Sequence, residues 1–203
     1  MGYWEHIAAT ARFLSGRKAV LHLVLLWVLL QATFIIADEY AQLYYAAIGL
    51  PIIFFGLLGT AGNFLEGVGG WLGERLARLS RGKLYPTLVL SSALGFALSA
   101  SLRGAWGIPF IFLSMAAFYL AIPVLLGDLH RQLPSAQRAT GESFVNLLSR
   151  LAFIPLAFGF GRLADGASIF ISFGSLALVL GIYLAYFLIV FRRQTGGLTE
   201  GDA

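Results

Sequence analysis

Residues 19–46 read AVLHLVLLWVLLQATFIIADEYAQLYYA, and this stretch decides the fold class. From Ala19 to Ala37 it holds one titratable group, His22, and neither glycine nor proline. About 20 such residues in a helix cross the ~30 Å hydrocarbon core of a bilayer. The run is too long for a signal-peptide core, and no convincing cleavage site precedes Asp38-Glu39-Tyr40, so it is expected to be an uncleaved first span. Five further stretches have the same character, over 51–73, 84–102, 106–127, 140–161 and 168–191. The expected fold is therefore an all-α membrane protein of six transmembrane helices over 19–191, with a segment 1–18 before it and a polar tail 192–203 after it.

Composition agrees. The 203 residues are 59% hydrophobic and 12% charged, with a mean hydropathy of +0.82, which excludes an ordinary water-soluble enzyme. There is no cysteine, and His6, His22 and His130 lack metal-ligand spacing, so neither a metal site nor a redox cofactor is expected. The net charge of +4 is read as membrane orientation rather than nucleic-acid binding. Gly159-x-Gly161-x-x-Ala164 matches a dinucleotide fingerprint only formally, since it closes an apolar span with no strand beside it. No nucleophile elbow, phosphate loop or zinc helix is present, which argues against an enzyme.

Arginine and lysine set the orientation, because short exported loops rarely carry them. Arg12, Arg17, Lys18, Arg75, Arg78, Arg81, Lys83, Arg131, Arg138, Arg192 and Arg193 fall on one side. Only Arg103 and Arg162 fall on the other, with Arg150 inside a span. Eleven against two places both termini in the cytoplasm. Trp4, Ile7, Ala11 and Leu14 recur at helical spacing, so the segment 1–18 reads as an amphipathic helix on the inner surface.

Charged and amide side chains inside spans are costly and usually face a bundle interior or a water-filled cavity. Trp27, Gln31, Asp38, Gln42 and Tyr45 fall within about 60° of one another at 100° per residue, one polar and aromatic stripe that suits a solute pathway. Glu39 stands beside it, and the alternative for both Asp38 and Glu39 is that they sit at the outer water interface, some twenty residues after the inner end. In the second span Gly59, Asn63, Glu66 and Gly70 share a narrow face, where glycine is expected to admit a neighbouring helix; Gly69-x-x-x-Gly73 does the same on an adjoining face. Ser91, Gly95 and Ser99 also read as close packing. Glu66 lies ~12 Å above Glu74, and Arg150 a similar rise above Glu142, so the two opposite charges are expected to pair, within one chain or between chains. Such a pair locks one conformation or breaks during transport. Pro109 and Pro123 in the fourth span allow bends. Polar spans and lipid-facing spans alternate in a pattern of two plus one, twice, as in transporters built from inverted repeats.

These residues resemble a known family, the major facilitator superfamily, and in particular its C-terminal six-helix half. Asp38-Glu39-Tyr40 with Gly49-Leu50-Pro51 resembles the segment joining the first two helices of that half. Gly70-x-Leu72-x-Glu74-Arg75, continuing to Arg81-Gly82-Lys83, is similar to the family's cytoplasmic signature, here with glutamate for the commoner aspartate and a longer run. Leu133-Pro134, Arg138-Ala139-Thr140 and Ser143 resemble the loop opening the fifth helix, and Gly161-Arg162-Leu163-Ala164-Asp165 the turn before the sixth. The resemblance implies a 3+3 inverted-repeat half-bundle, and a cytoplasmic latch formed by Gly70, Glu74, Arg75, Arg81 and Lys83. The alternative is that these charges only enforce topology.

The N-terminal half of that family has no counterpart here, so no substrate carries over and the chain is expected to need a partner. The leading expectation is a half-size secondary transporter in a bacterial plasma membrane. It would assemble as a parallel homodimer to move a small solute, with protons as candidate coupling ions. Its pathway residues would be Gln31, Asp38, Glu39, Gln42, Asn63, Glu66, Tyr119, Asn146 and Arg150, of which Tyr119 and Asn146 rest on polarity and the family-like position of their spans. The alternatives are one half of a heterodimeric transporter, its other half separately encoded, and a non-transporting structural or regulatory subunit.

Overall fold

The computed structural model describes residues 18–191, without the side chains of Lys18, Ala19, Glu74, Val190 and Phe191. The expected amphipathic N-terminal helix and the polar tail lie outside the described residues, apart from Lys18 itself. Six long helices carry the fold: α1 (Lys18–Ala47), α2 (Ile53–Leu76), α3 (Arg81–Leu102), α4 (Ile108–Gln132), α5 (Arg138–Gly166) and α6 (Ile169–Tyr186). Among the described residues there is no strand.

Five of the six, all but α2, are long and apolar enough to cross a membrane, which makes the chain an integral membrane protein. The expectation of six equally apolar spans needs correction at α2. Its 24 residues reach ~36 Å, so length is not the obstacle. Seven glycines between Gly56 and Gly73, with Thr60, Asn63 and Glu66 among them, dilute its apolar surface.

The helix ends follow from local chemistry. At the end of α1, Gly49 adopts φ +73, its N–H donates to Ala46 O (3.0 Å), and Leu50 N–H donates to Tyr45 O (3.0 Å). This paired closure needs a left-handed residue that glycine supplies without strain, and Pro51 then prevents the helix from continuing. Between α3 and α4, Tyr44 Oη donates to Ser99 O (2.9 Å) and Gly104 O (3.1 Å), tying α1 to the turn. A Cβ on Gly107 would collide with that hydroxyl. Pro109 lies in the first turn of α4, where proline fits without bending the helix, so of the two prolines only Pro123 lies within it.

The packing runs in a chain: α2 on α4, α4 on α1, and α1 on α5. Behind it α3 and α6 pack on each other, α3 also on α4, and α6 also on α1 and α5. Small residues set the closest approaches, as is usual between helices in lipid. Gly69 abuts Tyr119 and Gly73 abuts Pro123, joining α2 to α4 as their spacing predicts. Gly95 abuts Ser114 and the carbonyl of Phe110, while Ser114 Oγ donates to Ser92 O (2.8 Å). Gly59 and Gly70 meet nothing within 4 Å among the described residues, so these two glycines bring no neighbouring helix into close contact, contrary to expectation. The helices are unequally covered: 72% of the apolar window of α1 is buried but only 17% of that of α5. The row thus has a covered middle and open ends.

Candidate functional site

The polar stripe of α1 divides into two parts. Toward the start of α1, Trp27 Nε1 donates to Gln31 Oε1 (3.0 Å) and Gln31 Nε2 donates to Asn146 Oδ1 (3.2 Å), which joins α1 to α5. Gln31 and Asn146 are therefore brought together, and their amide groups serve each other. Farther along, Asp38, Glu39, Gln42 and Tyr45 line a cleft of about 230 Å³, closed on the α2 side by Asn63 and Phe55 and on the α4 side by Phe112 and Met115. Asp38 stands twenty residues beyond Lys18, hence ~30 Å from the start of the helix. The cleft belongs to the end of the bundle remote from the start of α1.

Asp38, Glu39, Gln42 and Asn63 are all exposed, and none makes a hydrogen bond or ion pair among the described residues. Tyr45 differs: it is only 5% exposed, its ring meets that of Phe55 edge-on at 5.5 Å, and its hydroxyl has no hydrogen-bond partner. Tyr45 belongs to the helical stripe, but Phe55 and Phe112 carry no polar signal and were not legible as site residues. Glu66 lies close enough to Asp38 and Tyr119 for its charge to act on both. Tyr119 itself is buried, with its ring 5.0 Å from that of Phe34.

Glu66 and Arg150 make no ion pair within the chain. Both side chains are exposed, on helices that pack on different neighbours, α2 on α4 and α5 on α1. The expected equality of depth holds: Glu66 is ~15 Å from the C-terminal end of α2 and Arg150 ~18 Å from the start of α5. Comparison of the chain with protein-family models, curated proteins and solved structures gives no match.

At the end of the bundle opposite the cleft, where α1 and α3 begin, Asp128 and Arg81 are paired. Arg81, opening α3, holds Asp128 of α4 through two parallel bonds, Nε to Oδ2 (2.8 Å) and Nη2 to Oδ1 (2.9 Å). Its Nη1 donates to Ala77 O (2.7 Å) and Leu79 O (2.9 Å), filling carbonyls at the end of α2. Tyr85 Oη and Arg131 Nη2 also donate to Asp128. A bidentate guanidinium–carboxylate pair is the strong form of this interaction, and with side chains only 21% and 13% exposed it is partly shielded from water.

Of the residues expected in a latch, Arg81 belongs to this cluster, while Gly70, Arg75 and Lys83 do not. Arg75 stacks over Trp71 at 4.0 Å, Lys83 is exposed, Gly70 faces open space, and the side chain of Glu74 lies outside the described residues. Asp128 and Tyr85 were missed. The available signal was a lone aspartate in an apolar helix three residues before Arg131, one helical turn away. His22, expected near the inner end of its span, is buried near the start of α1 with its Nε2 2.8 Å from Tyr186 Oη. His130 Nε2 is 3.6 Å from Glu142 Oε2.

Proposed function

We propose that this chain is half of a secondary transporter, of the major facilitator kind, that pairs with a second parallel copy and moves a small solute by alternating access. The observation that carries the reading is an open polar face. Asp38, Glu39, Glu66 and Arg150 stand exposed, with no hydrogen bond or ion pair among the described residues, on long helices of a largely apolar bundle. For Glu66 and Arg150, ~15 and ~18 Å from their helix ends, an uncompensated charge at that depth costs roughly 3 kcal/mol. A water-filled pathway between two copies removes that cost.

The central contacts accord with a 3+3 repeat, although the α5–α6 contact has no comparable α2–α3 counterpart. Exchanging α1 with α4, α2 with α5 and α3 with α6 turns the α2–α4 contact into the α5–α1 contact, and returns α3–α6 and α1–α4 to themselves. In this reading α2 is the sixth span, made tolerable by lining the pathway, and both termini are cytoplasmic in a bacterial plasma membrane. A parallel two-fold axis sets α2 of each copy against α5 of the other, bringing Glu66 to the height of Arg150 of the second copy. Arg81 and Asp128 act as the inner latch, releasing α3 from α4 as the half-bundles rock.

Reconstitution of the chain in liposomes with an internal pH-sensitive dye tests this. A panel of small amines, sugars and carboxylic acids is added outside. A solute-dependent pH change absent from the Asp38→Asn/Glu66→Gln double variant supports transport. Identical traces for both proteins across the panel contradict it.

A further inference from the structure

We propose that the outer cleft is a binding site for a small organic cation of the quaternary ammonium class, held by Asp38 and Glu39 against the rings of Tyr45, Phe55 and Phe112. The site rests on the transport reading for its purpose, as the class of solute carried, and names a ligand which that reading leaves open.

Charge comes first. Two carboxylates line the cleft, no basic side chain does, and neither carboxylate has a hydrogen-bond or ion-pair partner among the described residues. A neutral or anionic guest leaves both charges uncompensated, whereas a monovalent cation offsets one of them and is attracted by both. The contrast between adjacent tyrosines is independent of charge. Tyr44 is fully buried and its hydroxyl donates two hydrogen bonds to backbone carbonyls. Tyr45 is almost as buried, yet it lines the cleft and its hydroxyl bonds to nothing. The body of Tyr45 is covered while its hydroxyl opens on the cleft with its donor and acceptor unused, where a guest can meet it.

Shape and lining then select the kind of cation. Pockets for drug-sized ligands hold roughly 300–1,000 Å³; at about 230 Å³ the cleft suits a smaller molecule. Divalent metal ions want six or more oxygen ligands, and among the described residues no group of three acidic or histidine side chains could hold a metal ion. The apolar share of this wall is aromatic. The rings of Tyr45 and Phe55 meet at 68°, a corner with two π-faces, and Phe112 and Met115 extend it. Aromatic corners beside a carboxylate recognise methylated ammonium groups, which are weakly hydrated and attracted to ring faces.

Equilibrium binding of radiolabelled choline to the full chain, in nanodiscs of phosphatidylethanolamine and phosphatidylglycerol, tests the proposal without requiring transport. The expected result is saturable binding that tetramethylammonium displaces and the neutral isostere 3,3-dimethylbutan-1-ol does not. Asp38→Asn is expected to weaken binding about tenfold, which corresponds to about 1.4 kcal/mol, and Phe55→Leu by a smaller factor. Glu39→Gln serves as a second charge variant, and size-exclusion elution confirms that each variant is folded. Absence of saturable binding, equal displacement by the neutral isostere, or unchanged affinity in an Asp38→Asn/Glu39→Gln double variant would overturn the site. Choline binding without choline counterflow in liposomes supports the site while refuting transport, and counterflow of another solute without choline binding does the reverse.

Discussion

Asp128 and Asp38 are both carboxylates on long apolar helices, at opposite ends of the bundle. Asp128 is gripped by Arg81, Tyr85 and Arg131 and is mostly covered, while Asp38 is exposed with no bonded partner. The difference separates two uses of charge in a membrane. A charge met by donors on two neighbouring helices fastens those helices; a charge left facing a cleft is available to a guest or a second subunit. Each predicted effect below is a way to break that contrast or to sharpen it.

The largest effect is expected at Asp128. Asp128→Ala leaves Arg81 and Arg131 facing each other without their shared acceptor, and losing one partner of a shielded pair costs about 3 kcal/mol. Thermal unfolding of the detergent-solubilised protein should show the largest drop of the series, partly restored by Asp128→Glu. A drop no larger than that of an exposed-site control such as Thr87→Ala would mean the cluster fastens nothing.

A smaller loss is expected where α2 meets α4. Gly73→Val places branched carbon against Pro123 and the carbonyl of Leu120, and overpacking of this kind costs about 2 kcal/mol. Gly70→Val, three residues earlier on the open face, should cost well under half as much in the same unfolding assay. Equal losses would show that the two faces of α2 are not distinct.

The smallest effect is expected at Asp38 itself. Asp38→Asn removes no hydrogen bond, and its stability should stay within about 0.5 kcal/mol of the parent. A large destabilisation would show that this carboxylate is structural after all, and the contrast with Asp128 would collapse.

How far the sequence could be read follows from the kind of signal each feature leaves. Runs of about 20 apolar residues reveal spans directly, and five of the helices were legible in that way. In α2 the glycines and Glu66 blur the apolar signal, so its helix was legible while its weaker hydropathy was not taken into account. Spacing locates a face, which is why Gly69 and Gly73 were read correctly as packing residues. It does not say which neighbour a face meets, and the same reasoning misjudged Gly59 and Gly70. Depth was legible for Glu66 and Arg150 because helical rise is fixed, whereas their separation on helices with different neighbours depends on how the six helices are arranged. The stripe on α1 pointed to Asp38 and Gln42. The aromatic lining of their cleft comes from α2 and α4, far apart in sequence and carrying no polar mark.

The central claim is that two copies join by setting α2 of one against α5 of the other. Since the chain contains no cysteine, it can be tested with two differently tagged forms, one Glu66→Cys and the other Arg150→Cys, mixed in a lipid bilayer and treated with a short bismaleimide. The account predicts a covalent product carrying both tags, in much higher yield than from either form alone. Recovery of both forms as uncrosslinked single chains, with a cysteine pair engineered across the α2–α4 contact crosslinking readily under the same conditions, would contradict it.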